Sequence, residues 1–156
     1  MGDQCIPEIQ GYLRKFRLKV PEEIYKCSGI KIFGKRIKSV LFSTDVSIIR
    51  NTNADAVIAV YPFTPQPVIT QAVMVAADVP VLVGVGGGLT QGLRVVNLAL
   101  HAEFQGALGV VVNAPTKNEI IKELKSSIDI PIVVTVVSEK DDIEKRLEAG
   151  VDILNV

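Results

Sequence analysis

The sequence predicts an α/β fold of consecutive βα units on one parallel sheet, curled into an incomplete barrel of six strands with five intervening helices. Three observations carry this. Short runs rich in Val, Ile and Leu recur from Lys38 onward, at 39–43, 56–61, 81–85, 108–113, 132–137 and 152–156. The runs are nearly continuous rather than alternating, as strands covered on both faces should be. Their starts fall 17 to 27 residues apart, the span that a strand and its crossover helix need.

Such a series is either doubly wound or a barrel. Two internal echoes favour the barrel, because a reversal of strand order would interrupt repetition. DVPVLV (78–83) resembles DIPIVV (129–134), and NADAVI (53–58) resembles AGVDIL (149–154). Each places an acid or a small residue where a strand begins.

The helices are read from caps and periodicity. TKNE (116–119) has the form of a capping box opening a helix with Ile120, Ile121, Leu124 and Ile128 on one face. SEKD (138–141) is a looser version, followed by Ile143, Leu147 and a terminating Gly150. PVITQAVMVAAD is expected to turn Val68, Ile69, Ala72, Val73 and Ala76 inward. QGLRVVNLALHAEFQ should do the same with Leu93, Val96, Leu100 and Phe104, leaving His101 exposed beside Arg94, Asn97 and Gln105.

Residues 1–37 fall outside the repeat. They read as a cover over the N-terminal end of the barrel domain at 38–156. PEIQGYLRKF predicts a short helix with Ile9, Leu13 and Phe16 on one side, VPEEIYKC a second helix, and IKIFGKRIKS a hairpin. The chain of 156 residues is neutral overall, but residues 1–38 hold nine Lys/Arg against four acids, a net +5 that leaves −5 on the rest. This segment reads as a solvated helix face plus a basic hairpin; contact with nucleic acid or an anionic surface is the competing reading.

Composition limits the class further. Apolar residues make up 48% and mean hydropathy is +0.35, which excludes a disordered chain. Asp78, Arg94 and Asp129 interrupt the long apolar runs, so no membrane span or membrane partner is expected. There is no apolar signal region near the start, and Cys5 and Cys27 match no zinc or redox spacing, so the expected setting is the cytoplasm.

The candidate site centres on VPVLVGVGGGLTQG (79–92). Residues two apart on a strand share a face, so Gly84, Gly86 and Gly88 would hollow one face at the C-terminal end of the third strand. In barrel enzymes that end carries the active site. Glycine also admits a ligand close to the backbone, where amides preceding a helix can hold an anion. Gly84, Gly86, Gly87, Gly88 and Thr90 are therefore candidate ligand-binding residues, against the alternative of a tight strand-to-helix turn. The spacing is neither the dinucleotide G-x-G-x-x-G nor a phosphate-binding loop with its lysine.

Other strand ends add Tyr61, Thr135 and Asn155 as ligand contacts, and Asp45 and Asn113 as candidate catalytic groups. Asp45 is either a general acid or base or a residue in the first turn of the next helix. Asn113 and Asn155 either orient a ligand oxygen or satisfy loop backbone. No Ser-His-Asp order, nucleophile elbow, Schiff-base lysine or metal-ligand set is legible, and no cofactor is implied.

VPVLVGVGGG, GALGVVVNAP and IPIVVTVVSEKDDIEKRLEAGVDILNV, with their spacing, resemble the ribulose-phosphate-binding group of (β/α)8 TIM barrels over 38–156. With IQGYLRKFRLKVPEEIYKC and AVYPFTPQP included, the whole chain resembles a narrower set of bacterial barrels that carry the bare name hydrolase. The resemblance implies the fold and the place of the mouth. The group's phosphate site follows strands seven and eight, which lie beyond the sixth strand on which this sequence stops, so it is not carried over. The expectation is a fragment of a longer barrel, or a homo-oligomer that covers the open edges. The expected function is a TIM-barrel enzyme of unassigned reaction, a hydrolase as the resemblance implies or a lyase- or isomerase-type enzyme, acting on a small anionic or phosphorylated metabolite. The alternative is a non-catalytic ligand-binding or regulatory barrel.

Overall fold

The computed structural model describes residues 5–156. An antiparallel hairpin, β1 (Ile30–Ile32) and β2 (Lys35–Ile37), precedes a six-stranded sheet. The sheet strands are β3 (Val40–Phe42), β4 (Ala56–Ala59), β5 (Val81–Gly86), β6 (Gly109–Val112), β7 (Ile132–Thr135) and β8 (Ile153–Asn155). They stand side by side in chain order, and every neighbouring pair is parallel. Between them run α1 (Val46–Arg50), α2 (Pro67–Ala76), α3 (Leu93–Phe104), α4 (Asn118–Ser127) and α5 (Ile143–Glu148). The result is the curled half of an α/β barrel, with β3 and β8 as its edges.

The two faces of the sheet are covered differently. Val57, Val83, Val110, Val112 and Ile132 pack outward with Val73 of α2, Val95 and Ala99 of α3, and Ile121 and Leu124 of α4. The alternate residues Ala56, Ile58, Leu82, Val111 and Val133 face inward and meet Ile32 and Ile37 of the hairpin instead. Helices on one face and sequential strand order define a barrel rather than a doubly wound sheet. Full burial of each Val, Leu or Ile stabilises by about 1.5–3 kcal/mol, so this two-sided packing dominates the energetics.

The internal echo at 53–58 and 149–154 has a physical basis. Asp55, just before β4, accepts from the N–H groups of Lys38 (2.8 Å) and Ser39 (3.1 Å) at the start of β3. Asp152, just before β8, accepts from the N–H of Ile132 (2.9 Å) and from Lys125 Nζ (2.6 Å). In both places the carboxylate reaches across to the preceding strand and satisfies backbone that no neighbour would otherwise pair.

Several expectations are corrected. Residues 7–16 form no helix: the stretch is irregular with one turn at 12–15, and Ile9, Leu13 and Phe16 stand in solvent. VPEEIYKC yields only a five-residue 3-10 turn, Glu22–Lys26. On α2 the buried residues are Thr70 and Val73, while Val68, Ile69 and Ala72 are exposed. On α3 they are Val95, Val96, Ala99 and Ala102, with Leu93 and Phe104 exposed. Ile143 and Leu147 of α5 are also exposed. TKNE does not cap α4, whose N-cap is Lys117, because the Thr116 hydroxyl donates to the Asn113 carbonyl (2.8 Å). Asp142, not SEKD, caps α5 by accepting from Lys145 N–H (3.1 Å).

Replacing Asp55 by Ala strands two backbone donors, and urea unfolding should register a loss of about 1–3 kcal/mol. Asp78→Ala removes only an exposed pair with Arg50 and should cost less than about 1 kcal/mol in the same assay.

Candidate functional site

β5 is paired to β6 with a skipped residue: Gly84 stands opposite Val111, and Gly86 opposite Val112. The backbone then leaves the strand, with φ of 121° at Gly86 and 103° at Gly87, a region that side-chain-bearing residues rarely adopt. A Cβ on Gly86 would lie 2.9 Å from the Thr90 carbonyl oxygen, and one on Gly87 would overlap the Thr116 hydroxyl. The strict alternation that put Gly84, Gly86 and Gly88 on one strand face therefore ends at the bulge.

The three glycines nevertheless line one space. Beyond the C-terminal ends of β4 and β5 lies a cavity of about 220 Å³. One wall is the loop Val60–Pro65, the other Gly86, Gly88, Leu89 and Thr90, with Gly84 and Asn113 completing the lining. Having no side chains, Gly84, Gly86 and Gly88 present main chain alone. Hydrogen bonds fix the glycine loop in place: Gly87 N–H donates to Thr90 O (2.8 Å), and Asn113 N–H to Gly86 O (3.0 Å). Thr116, bonded to Asn113 O, ties the loop after β6 to the same unit.

The polar groups at the cavity are neutral. The Thr90 hydroxyl donates to the Thr64 hydroxyl (3.1 Å), which keeps its own proton for a ligand. Tyr61 accepts from Gln66 N–H (2.9 Å) and likewise retains a proton to give. Asn113 Nδ2 lies beside Gly88, 3.7 Å from where a Cβ would stand. The lining holds no Lys, Arg, His, Asp or Glu.

Of the residues singled out from sequence, Tyr61, Gly84, Gly86, Gly88, Thr90 and Asn113 are brought together here. Gly87 lies behind the cavity against Thr116, lining a separate cleft between the starts of α3 and α4. Thr135 and Asn155 face each other on β7 and β8, where Asn155 Nδ2 donates to Thr135 Oγ1 (3.3 Å). They sit at the same end of the sheet but do not line the cavity. Asp45 is the N-cap of α1, accepting from Ser47 N–H (2.8 Å), Ile48 N–H (3.2 Å) and Ser47 Oγ (2.6 Å). The Ser47 hydroxyl bond first, then the two backbone bonds, hold its carboxyl below the ordinary aspartate value. Sequence reasoning missed Thr64. Its signal was YPFTPQP, whose three prolines stiffen the loop that carries it to the mouth. Among the described residues no three His, Cys, Asp or Glu side chains gather as a metal-ligand set.

No family model matches the chain, and no curated protein matches it. Solved structures do. Dihydrodipicolinate synthase from Aquifex aeolicus aligns over 74% of this chain and 51% of its own, with TM-score 0.56 and 15% identity. Mandelate oxidase with (S)-2-phenylpropionate aligns over 75% and 47%, with TM-score 0.53 and 16% identity. Pyruvate carboxylase from Rhizobium etli aligns over 74% and 15%, with TM-score 0.52 and 12% identity. The chain thus spans about half the length of the first two of these structures. The likeness establishes the fold: this is TIM-barrel architecture, represented by six of its βα strands.

Two glycine substitutions should separate scaffold from lining. Gly87→Ala forces a positive φ and an overlap, and should lower stability by more than about 2 kcal/mol in urea unfolding. Gly88→Ala meets only ordinary contact and should stay within about 1 kcal/mol of wild type.

Asp45 predicts a pH effect. Its folded pKa is depressed, so its contribution is present above the unfolded value, 3.8, and fades as pH falls through the lower folded value. Asp45→Asn keeps a good cap and should remove this part of the acid dependence, read as Tm against pH, while Asp45→Ala lowers Tm at neutral pH as well.

Proposed function

We propose that this chain is the ligand-binding part of a TIM-barrel enzyme that acts on a small anionic or phosphorylated metabolite at the C-terminal mouth. One observation carries the reading: the 220 Å³ cavity between the Val60–Pro65 and Gly86–Thr90 loops, at the end of the sheet where this architecture does its chemistry. A volume of that size suits a molecule of a few carbon atoms. The names of the structural relatives, a synthase, an oxidase and a carboxylase, favour an enzyme without favouring one reaction.

The lining suggests how an anion would be held. Main chain at Gly88, the Asn113 amide, and the hydroxyls of Thr64 and Tyr61 offer neutral donors. Neutral donors bind a carboxylate or phosphate by direction rather than by net charge, and they discriminate by shape. Asn113 is the candidate for orienting and polarising a substrate oxygen. Hydrolysis rests on sequence resemblance alone, since no cavity carboxylate or imidazole is present to activate water. That same lack favours the second reading, a ligand-binding barrel without catalysis.

Calorimetric titration with glycerol 3-phosphate and with inorganic phosphate tests both. Saturable binding of the sugar-sized phosphate, weakened about tenfold by Asn113→Ala as expected for one lost hydrogen bond to a charged group, supports the site. Gly88→Ala should weaken it comparably by occupying the cavity. Affinity unchanged in both variants would remove the cavity from consideration. Binding with no turnover of any phosphorylated or carboxylated compound in a metabolite mixture would support the non-catalytic reading.

A further inference from the structure

The expected helix at 7–16 does not form, and this changes the meaning of the basic N-terminal segment. Ile6, Ile9, Tyr12, Leu13 and Phe16 are between 69% and 99% exposed, so no face of the fold buries them. Interleaved with them are Arg14, Lys15, Arg17 and Lys19, all exposed, and Ile9–Lys19 contains no acid. Lys15 Nζ lies 4.9 Å from the Tyr12 ring centre and 5.3 Å from that of Phe16, so cations and rings form one patch.

The arm is anchored. Leu18 N–H donates to Asn51 O (2.7 Å), Asn53 N–H to Leu18 O (3.2 Å), and Val20 N–H to Asn53 Oδ1 (2.7 Å). These residues precede β4, at the N-terminal end of the sheet. The hairpin covers the same end, with Ile32 and Ile37 turned inward and Lys31 and Lys35 exposed. The cavity lies at the opposite end.

We propose that the Ile9–Lys19 arm is a docking element for an anionic phospholipid surface, seating the molecule with its cavity directed away from the bilayer. Charge complementarity identifies the partner: a run of cations without an acid is drawn to an anionic headgroup layer. The apolar residues then distinguish lipid from nucleic acid. Tyr12 and Phe16 are rings on which a base can stack, but Ile6, Ile9 and Leu13 add an aliphatic surface that stacking does not use. Aliphatic and aromatic side chains together, flanked by Lys and Arg, suit the headgroup boundary.

Co-sedimentation of the 156-residue protein with vesicles tests this, comparing phosphatidylcholine alone with an equimolar mixture of phosphatidylcholine and phosphatidylglycerol. The expected result is partition onto the anionic vesicles only, falling as salt rises. Arg14→Gln with Arg17→Gln should lower the partition coefficient about fivefold for each cation removed, the equivalent of roughly 1 kcal/mol apiece. Leu13→Gln with Phe16→Gln should also release the protein, although it leaves every charge in place. All four side chains are exposed, so circular dichroism and the urea midpoint should match wild type. Equal partition onto neutral vesicles, no partition, or wild-type partition by either double variant overturns the proposal. So does tighter binding of the wild-type protein to a single-stranded oligonucleotide than to the anionic vesicles, which would assign the arm to nucleic acid.

Discussion

Each central strand of this sheet carries apolar residues on both faces, and a strand of that kind has to be covered twice. The helices all lie on one face, so the other must be filled by something that is not a crossover helix. At the start of the strands the filler is the hairpin, which drives Ile32 and Ile37 against Ala56, Ile58 and Leu82. Toward the far end the side chains shrink or turn polar, through Gly84, Asn113, Thr135 and Asn155. The cavity is thus a consequence of how the inner face is filled: solid where the hairpin reaches it, hollow where glycine replaces Leu or Val. On β3 and β8 the covering runs out. Phe42 stands in register with Ile58 yet is more than half exposed, which marks the open side of the half-barrel.

The glycine run does two jobs that its even spacing conceals. Gly84 and Gly88 make room, while Gly86 and Gly87 supply backbone conformations that turn the chain out of the sheet. Gly87 then packs so closely on Thr116 and Asn113 that the loops after β5 and β6 become one unit. A ligand at the cavity would meet a preformed wall, and that lowers the ordering cost of binding. The Val60–Pro65 loop on the other side is stiffened by proline instead, so both walls are rigid for different reasons.

This division explains what was legible in the sequence. Two-sided burial writes strands as unbroken apolar runs, and all six appear in the structure close to where those runs stand. The helices' inward faces were less legible, because PVITQAVMVA is apolar nearly all round and several faces compete. The sheet selected the one with Thr70 and Val73. TKNE failed as a cap for a local reason: the Thr116 hydroxyl turns back to Asn113 O, three residues earlier and beneath Gly87, rather than forward to the helix it seemed to open. At the candidate site, space was legible through glycine and chemistry was not. Asp45, the one carboxylate read at a mouth, has its hydrogen bonds committed to the first turn of α1.

The polarity of a parallel sheet finally separates the two ends of the molecule. Strand starts need carboxylates that satisfy backbone N–H groups of the neighbouring strand, and Asp55 and Asp152 occupy that place. Strand ends carry glycine, threonine and asparagine instead, small or neutral polar residues that leave room there. Because every strand runs the same way, these requirements cannot mix, and residues that serve stability collect at the end where the hairpin and the basic arm also sit. The sequence echoes belong to that stabilising end: NADAVI and AGVDIL repeat because the β3–β4 and β7–β8 pairs pose the same backbone problem. The strand-end residues do not repeat: Gly84, Gly86 and Asn113 line the cavity, whereas Thr135 and Asn155 bond each other outside it. A repeat that is strong where strands begin and lost where they finish therefore follows from the single direction in which all six strands run.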